Sequence, residues 1–362
     1  MTRLIIIMTL VLTISACKKS ENETSPPSDT MYFPPTNSQS WESVTPESLN
    51  WDIDKLNELY NYLSTNNTRA FIILKDGKIV AEKYWGKNVL NTAPFDQNTN
   101  WYWASAGKSL TAFLVGLAQQ EGMVNINNKT SDYLGDNWTS LPLEKENLIT
   151  VKNQLTMTTG LDYDVPNLDC TDPSCLLFKT DAGNQWYYHN APYTLLEKVV
   201  SNASGITYNQ FTDEKLENKI GMDGTWISLG YNNTFWSTPR SAARFGLLIL
   251  NNGSWDSNEI MTDQNYFNNM VNTSQNLNPS YGYLFWLNGK QSTIFPGFAS
   301  PIAISVAPNA PSDLIVAMGK NGQIIDIVPS KNIVVIRMGE TPDGSLLPVL
   351  FHNEMWKKLM AV

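Results

Sequence analysis

The stretch WYWASAGKSLTAFLVGLAQQE, residues 101–121, decides how the rest of the chain is organised. Its apolar residues, among them Leu110 and Leu117, recur at the spacing of the buried face of a helix. The pattern predicts a helix that begins at or near Ser105 and ends near Gly122, a residue type suited to a C-terminal cap. Ser105 would then lie on the first turn, where free backbone N–H groups and the helix dipole favour negative charge.

Lys108 follows Ser105 by three residues and would lie on the same side of this helix. A serine hydroxyl beside a lysine in apolar surroundings is an activated nucleophile. The alternative is a helix-capping serine followed by a solvated lysine, because a Ser-x-x-Lys spacing also arises by chance. The aromatic residues before the motif and the apolar residues after it indicate a central helix, in which this lysine is hard to solvate. The context therefore favours a catalytic pair.

Composition limits the possible classes of protein. The chain has 362 residues, of which 42% are hydrophobic, so it can bury a large core as one large domain or two smaller ones. Its net charge is -9 and it contains no run rich in Lys and Arg. Binding to nucleic acid is therefore not expected, because such binding depends on neutralising phosphates.

Residues 1–17 are typical of a targeting segment, with Arg3, an apolar run over residues 4–14 and then small residues before Cys17. The run is too short to span a bilayer as a helix. Its end, Ile-Ser-Ala-Cys, resembles the lipobox of bacterial lipoproteins, which implies that Cys17 is lipidated and anchors the protein to a membrane of the bacterial cell envelope. An ordinary secretory signal is the alternative. Residues 18–40 are polar and are predicted to be a flexible tether, followed by one domain over residues 41–362.

Two further cysteines, Cys170 and Cys175, lie on either side of a turn-forming proline. In an oxidising compartment this spacing favours a disulfide that closes a small loop. A metal site is the alternative, but the whole chain has only two histidines, His189 and His352, so no metal and no cofactor is expected.

Periodicity predicts an α/β (α+β) sandwich. Two apolar runs around Asp76-Gly77 form a hairpin signal near the start of the domain, and short β-branched runs recur in the last third. The predicted strands cover residues 70–74, 78–82, 301–307, 314–318, 324–328 and 333–338. The predicted helices, besides the one from Ser105, cover residues 46–65, 150–158, 192–201, 208–216, 241–251 and 348–360.

Strands at both ends with helices between them indicate that the two ends pair into one antiparallel sheet flanked by helices. The middle, residues 105–250, would then be an inserted, mainly helical lobe. Within it, residues 161–185 are predicted to be a long surface loop held by the disulfide. The cleft between lobe and sheet is the natural place for a site.

Two more short motifs follow the first. Tyr188-His189-Asn190 precedes a predicted helix, and Lys320-Asn321-Gly322 lies between two predicted strands. Taken alone, the former is also typical of an aromatic cluster at a helix start, and the latter of a hairpin turn with a solvated lysine.

The three motifs together resemble the serine β-lactamase and penicillin-binding-protein superfamily, in its class C and esterase-like branch, and are similar to those of nylon-oligomer hydrolases. The family order is Ser-x-x-Lys, Tyr-x-Asn and Lys-Thr-Gly or His-x-Gly, and the likeness covers roughly residues 45–360. It implies a β-lactamase-like fold and an acyl-serine intermediate on Ser105. It also implies an oxyanion hole built from the backbone N–H groups of Ser105 and Gln323, next to Gly322.

A base must take the proton of Ser105 during attack. We expect Lys108 and Tyr188 to share this task, with the ammonium groups of Lys108 and Lys320 lowering the pKa of Tyr188. Asn190 would hold Lys108 or a substrate amide by hydrogen bonds.

The expected function is a serine hydrolase acting on a small ester, amide or short peptide-like substrate. Asn321 replaces the usual threonine and nothing matches the acidic deacylating loop of class A enzymes, so ester or amide hydrolysis is favoured over efficient β-lactam hydrolysis. One alternative is a penicillin-recognising sensor or binding protein without turnover. Another is a Ser-His esterase that uses His189. The sequence does not define the oligomeric state.

Overall fold

The computed structural model describes residues 31–345 and 347–362. The strands in chain order are β1 (Thr68–Lys75), β2 (Lys78–Tyr84), β3 (Trp101–Tyr102), β4 (Gly224–Leu229), β5 (Asn232–Ser237), β6 (Ser254–Trp255), β7 (Asn258–Glu259), β8 (Trp286–Leu287), β9 (Ile315–Gly319), β10 (Gln323–Val328) and β11 (Ile333–Gly339).

The α-helices in chain order are α1 (Ile53–Thr65), α2 (Gly107–Gln120), α3 (Ser131–Leu134), α4 (Leu143–Glu146), α5 (Val151–Leu155), α6 (Asn190–Thr194), α7 (Leu196–Ser204), α8 (Tyr208–Thr212), α9 (Asn218–Ile220), α10 (Pro239–Leu250), α11 (Gln264–Met270) and α12 (Val349–Leu359). Short 3₁₀ turns cover Pro46–Leu49, Ala104–Ala106, Pro173–Cys175, Lys320–Gly322 and Pro329–Lys331, and a π-helical turn covers Asp213–Glu217.

The main sheet is antiparallel, with the strand order β2-β1-β11-β10-β9-β8. The N-terminal hairpin turns at Asp76 and Gly77, both with positive φ, and β1 then pairs with the C-terminal strand β11. The prediction that both ends of the chain pair into one antiparallel sheet is therefore confirmed.

Helices cover both faces of this sheet. On one face Gly246 of α10 lies so close to β10 and β11 that a Cβ there would come within 2.5 Å of Val334 and 3.2 Å of Ile325. On the opposite face the adjacent β10 residue, Asp326, accepts a hydrogen bond from Trp356 of α12 at 2.7 Å. Alternate residues of a strand point to opposite faces. Double coverage explains why β10 and β11 are buried along their whole length.

The inserted segment is less uniformly helical than its composition suggests. The strands β3, β5 and β4 form a second sheet, which the sequence analysis did not predict. Residues 301–307, predicted to be a strand, contribute only one isolated bridge, between Ile302 and Thr293. The strand prediction for this run is wrong, because its β-branched residues lie between prolines and exposed turns.

The domain begins earlier than the composition predicts. Composition predicts a tether over residues 18–40, but residues 31–40 pack on the domain. Tyr32 donates its backbone N–H to Asp76, and the buried Arg244 side chain donates to the carbonyls of Pro35 and Ser38. The predicted signal segment, Cys17 and residues 18–30 lie outside the described residues. Within the described part, no helix is both long enough and apolar enough to cross a membrane.

Candidate active site

Ser105 lies on a strained turn at the entrance to α2. The preceding residue, Ala104, has φ 47, a left-handed conformation that costs free energy for a residue with a side chain. Trp103 holds this turn from the N-terminal side, because its backbone N–H donates to Phe235 at 2.8 Å and its indole donates to Ser237 at 2.8 Å. Strain held in place by packing is typical of functional turns.

The end of β9 borders the same turn. A Cβ on Gly319 would come within 2.9 Å of the Ser105 nitrogen, 2.8 Å of the Ala106 nitrogen and 2.5 Å of the Trp103 oxygen. Only glycine permits this approach of strand to turn. The backbone nitrogen of Ser105 is therefore next to the end of the central sheet.

Lys108 contacts the serine directly. Its Nζ lies 3.1 Å from the Ser105 Oγ, and the side chain is 4% exposed. The amine also lies 4.1 Å from the ring centre of Tyr193 and 5.1 Å from that of Tyr188. Burial lowers the pKa of Lys108 from 10.5 to about 7, and the negative charge of Asp169 opposes that shift.

A lysine with this pKa is substantially unprotonated near neutral pH. A neutral amine at hydrogen-bonding distance from a hydroxyl can accept its proton during nucleophilic attack. The distance and the burial of Lys108 together meet the requirements for a general base.

Tyr188 lies beside Ser105 and Lys108, but its pKa is shifted in the opposite direction to the one expected. Burial raises its pKa well above the usual range, and a hydrogen bond with Ser105 only partly opposes the shift. Its ring stacks on Trp286 with centres 5.8 Å apart. Lys320 is exposed, so it does not provide a second buried ammonium group. The expectation of a tyrosinate between two lysines is therefore wrong, since loss of solvent disfavours the anion.

The third motif, Lys320-Asn321-Gly322, forms a 3₁₀ turn. Most of the hydrogen-bonding groups in and next to this turn are bonded to other parts of the protein. Asn321 donates to the hydroxyl of Tyr102 at 2.8 Å, and the buried Arg337 donates to the carbonyl of Gly322 at 3.0 Å. The Gln323 side chain donates to the carbonyl of Gly339 at 2.6 Å and joins β10 to β11. The contact with Ser105 comes from Gly319, four residues before Gln323.

Asn190 is turned toward the surface loop. Its Nδ2 donates to Asp169 Oδ1 at 2.6 Å, and its buried Oδ1 has no hydrogen-bond partner among the described residues. The expected contact with Lys108 is not formed. Sequence reasoning missed both Asp169 and Tyr193. Tyr193 could have been found from its spacing of three residues after Asn190 on the same predicted helix.

Neither histidine pairs with the serine in the described part of the chain. His189 is buried, and its charged neighbours are Asp162 and Asp169 of the loop, while burial lowers its pKa to about 4. His352 bonds to Asp326 at 2.8 Å in the layer of α12. The geometry gives no support to a Ser-His esterase.

The predicted disulfide is present, since Cys170 and Cys175 are bonded with their Cα atoms 5.9 Å apart. The described residues contain no group of three or more His, Cys, Asp or Glu side chains arranged to hold a metal ion.

Comparison with known proteins agrees with this geometry. The family model described as Beta-lactamase matches residues 67–344, which include all three motifs. The chain belongs to the Beta-lactamase family. Membership of this family, together with the buried lysine beside a serine, identifies a serine hydrolase-type enzyme of the β-lactamase superfamily.

Several relatives of this Beta-lactamase family member are divergent in sequence. An uncharacterized protein of Alkalihalophilus pseudofirmus is 24% identical over 323 residues, which cover 80% of this chain and 88% of that protein. The structure of a candidate 6-aminohexanoate-dimer hydrolase from Bacillus anthracis has a TM-score of 0.68 and 15% identity, covering 91% of this chain and 89% of the other. A class C β-lactamase mutant has a TM-score of 0.60 and 15% identity, covering 86% and 97%.

Burial of Lys108 predicts a pH dependence of stability for this Beta-lactamase family member. The folded-state pKa of about 7 lies below the unfolded value of 10.5, so between these values the unfolded chain binds more protons at this position. The contribution of Lys108 to the free energy of unfolding therefore rises with pH across this window. We expect Lys108→Met to remove that rise, measured by urea denaturation from pH 6 to pH 10. Surface Lys357→Met is the matched control, and an unchanged slope in Lys108→Met would contradict the shifted pKa.

Proposed function

We propose that the protein hydrolyses a small ester, amide or short peptide-like substrate through an acyl-serine intermediate on Ser105. The observation that carries the proposal is the 3.1 Å contact between Ser105 Oγ and the buried amine of Lys108. The name of the Bacillus anthracis neighbour, a candidate 6-aminohexanoate-dimer hydrolase, supports the inclusion of amides, because two amino acids are joined through an amide bond.

In the acylation step, neutral Lys108 accepts the proton of Ser105 as Oγ forms a bond to the substrate carbonyl carbon. Negative charge develops on the carbonyl oxygen. We assign the stabilisation of this charge to the backbone N–H of Ser105 and to backbone N–H groups at the end of β9. Gly319 brings the end of that strand against the Ser105 nitrogen. When the bond to the leaving group breaks, the leaving group needs a proton.

We assign the delivery of that proton to Tyr188. Since burial keeps its hydroxyl protonated, it can donate toward the leaving group and be reprotonated from Lys108. In deacylation a water molecule loses a proton to the Lys108 amine and its oxygen forms a bond to the acyl carbon. The protonated amine then gives that proton to Ser105 Oγ as the ester bond breaks and the acid product leaves. The number of protons on the protein is unchanged after one cycle.

Esters and amides are better candidates than β-lactams. The third motif has Asn321 where the family pattern has threonine, and the Asn321 amide is already bonded to the hydroxyl of Tyr102. The pattern also lacks an acidic deacylating loop of the class A type. Purified protein should therefore hydrolyse p-nitrophenyl esters or small amides faster than a chromogenic cephalosporin.

Time-resolved labelling with an activity-based acyl probe tests turnover. We expect a label on Ser105 that forms and then decays, and no label in Ser105→Ala, which removes one oxygen from the turn. Intact-protein mass spectrometry measures the formation and the decay of the label over time. A stable adduct on Ser105 would instead indicate a penicillin-recognising binding protein, and a label in Ser105→Ala would place the chemistry elsewhere.

The roles of Tyr188 and His189 are separated by two substitutions. Tyr188→Phe keeps the ring that stacks on Trp286 and should lower kcat/KM by ~10²–10⁴-fold, the usual range for general acid–base catalysis. His189→Ala should have a much smaller effect on kcat/KM, because the imidazole makes no hydrogen bond to Ser105 among the described residues and the charges that act on it are those of Asp162 and Asp169. The reverse order of effects would assign the acid–base role of Tyr188 to His189.

We further propose that the protein is attached to a bacterial membrane through a lipid on Cys17, on the lipobox-like sequence before that residue. Metabolic labelling with a palmitate analogue tests this, with Cys17→Ala as the control. Label that persists in Cys17→Ala would rule out the anchor.

A further inference from the structure

Asp169 lies at a junction of three separate segments. It belongs to the surface loop, one residue before the disulfide-bonded Cys170. Its Oδ1 accepts the amide of Asn190 at 2.6 Å, and its Oδ2 accepts the amide of Asn232 at 3.0 Å. One carboxylate thus joins the loop to the start of α6 and to the start of β5.

The loop on both sides of this carboxylate is fixed. Just before it, the Leu168 carbonyl accepts the backbone N–H of Ala191 at 3.0 Å. Just after it, the disulfide closes residues 170–175, and within that ring Asp172 accepts the hydroxyl of Tyr231 at 2.5 Å. Tyr231 is the neighbour of Asn232 in sequence, so the loop meets the same turn at two points. The position of Asp169 is therefore set by covalent and polar contacts together.

The charge of Asp169 also reaches the catalytic pair. It is the carboxylate whose attraction for the Lys108 ammonium opposes the effect of burial. No ion pair joins the two side chains among the described residues, so the attraction acts through low-dielectric surroundings. Among the described residues, the other titratable side chains in contact with the Lys108 amine are the buried Tyr188 and Tyr193.

The hydrogen bond to Asp169 fixes the orientation of the Asn190 amide as well. One amide hydrogen is committed to a carboxylate, a charge-assisted bond that is stronger than one between neutral groups. The amide oxygen is then left buried and without a partner among the described residues. A buried acceptor without a partner is costly, so this oxygen favours a donor that comes within reach during the reaction.

We propose that Asp169 is a positioning residue of the acyl-transfer site: held by the disulfide-closed loop, it orients the Asn190 amide and holds a fixed negative charge beside the catalytic pair. The proposal rests on the proposed function. Asp169 touches neither Ser105 nor Lys108 and acts through Asn190 and through its charge. A carboxylate at this place keeps Lys108 a stronger base than burial alone would leave it, and a stronger base accepts the serine proton more readily.

Asp169→Asn tests the proposal, because it removes the charge and keeps one oxygen that can accept from Asn190. The titration of Lys108 is followed by NMR of protein labelled with ¹³C-lysine, with the signal assigned by its absence in Lys108→Met. Without the attraction of Asp169, the protonated amine loses stabilisation, so we expect the midpoint to move to lower pH than the wild-type value of about 7. The low-pH limb of kcat/KM should move in the same direction.

Asp172→Asn is the matched control. It removes an equal charge from the same loop and loses the contact with Tyr231, but Asp172 does not act on Lys108. We expect its Lys108 midpoint to stay at the wild-type value. An unmoved midpoint in Asp169→Asn, or an equal shift in both variants, would overturn the proposal, because Asp169 would then only brace the loop.

If Asp169→Asn does not fold, the double variant Cys170→Ser/Cys175→Ser releases the loop and keeps the carboxylate in the chain. The midpoint should again fall, and an unchanged midpoint would overturn the proposal. The NMR titration needs no substrate. Failure of Ser105 to form an acyl-enzyme would therefore refute the proposed function, whereas the effect of Asp169 on Lys108 is decided by the titration alone.

Discussion

The burial of one amine, Lys108, beside one hydroxyl, Ser105, is the constraint on which the rest of the site depends. Removing an ammonium group from water is costly, and a protein avoids part of that cost by lowering the pKa of the group until it is neutral. The same change produces a base where one is needed. The rings of Tyr188 and Tyr193 exclude water and offer their faces to the amine when it is charged.

The fold supplies what this burial requires. Helix α2 is buried along almost its whole length, and Lys108 in its first turn is therefore surrounded mostly by protein and not by water. The strained Ala104 and the close approach of Gly319 bring the serine nitrogen against the end of the sheet. Strand β9 is held in register by β10, which is covered on both faces. Precision at the serine thus depends on packing far outside the motif.

The sequence predicted the fold well where periodicity and turn chemistry agree. The hairpin at Asp76-Gly77, helix α2 and the pairing of the two chain ends follow from local patterns and from the need to bury apolar surface. It failed at β3, at the isolated bridge of Ile302 and at residues 31–40, because their conformations are decided by distant partners. Tertiary contacts of this kind leave no period in the sequence.

The sequence predicted that Ser105, Lys108 and Tyr188 lie together in the site, but it did not predict their protonation states. Whether a tyrosine beside a lysine loses its proton depends on burial against nearby charge, and neither can be read from spacing. The predicted second ammonium, Lys320, is exposed, so burial decides the outcome. The alternatives for Asn190 could not be settled either, since its partner Asp169 lies 21 residues away in a loop.

A single physical cause, loss of solvent, sets both groups of the proton relay. It lowers the pKa of Lys108, whose charged form is the protonated one, and raises the pKa of Tyr188, whose charged form is the deprotonated one. At neutral pH the site can therefore hold an amine ready to accept a proton and a phenol ready to donate one, without an ion pair between them. Such a site is tuned by the nearest fixed charge, since attraction between charges strengthens as the dielectric constant falls. A carboxylate placed too close would restore the ammonium and remove the base. Asp169 engages Asn190 and Asn232 instead of Lys108, and its charge stabilises the ammonium without forming a salt bridge to it.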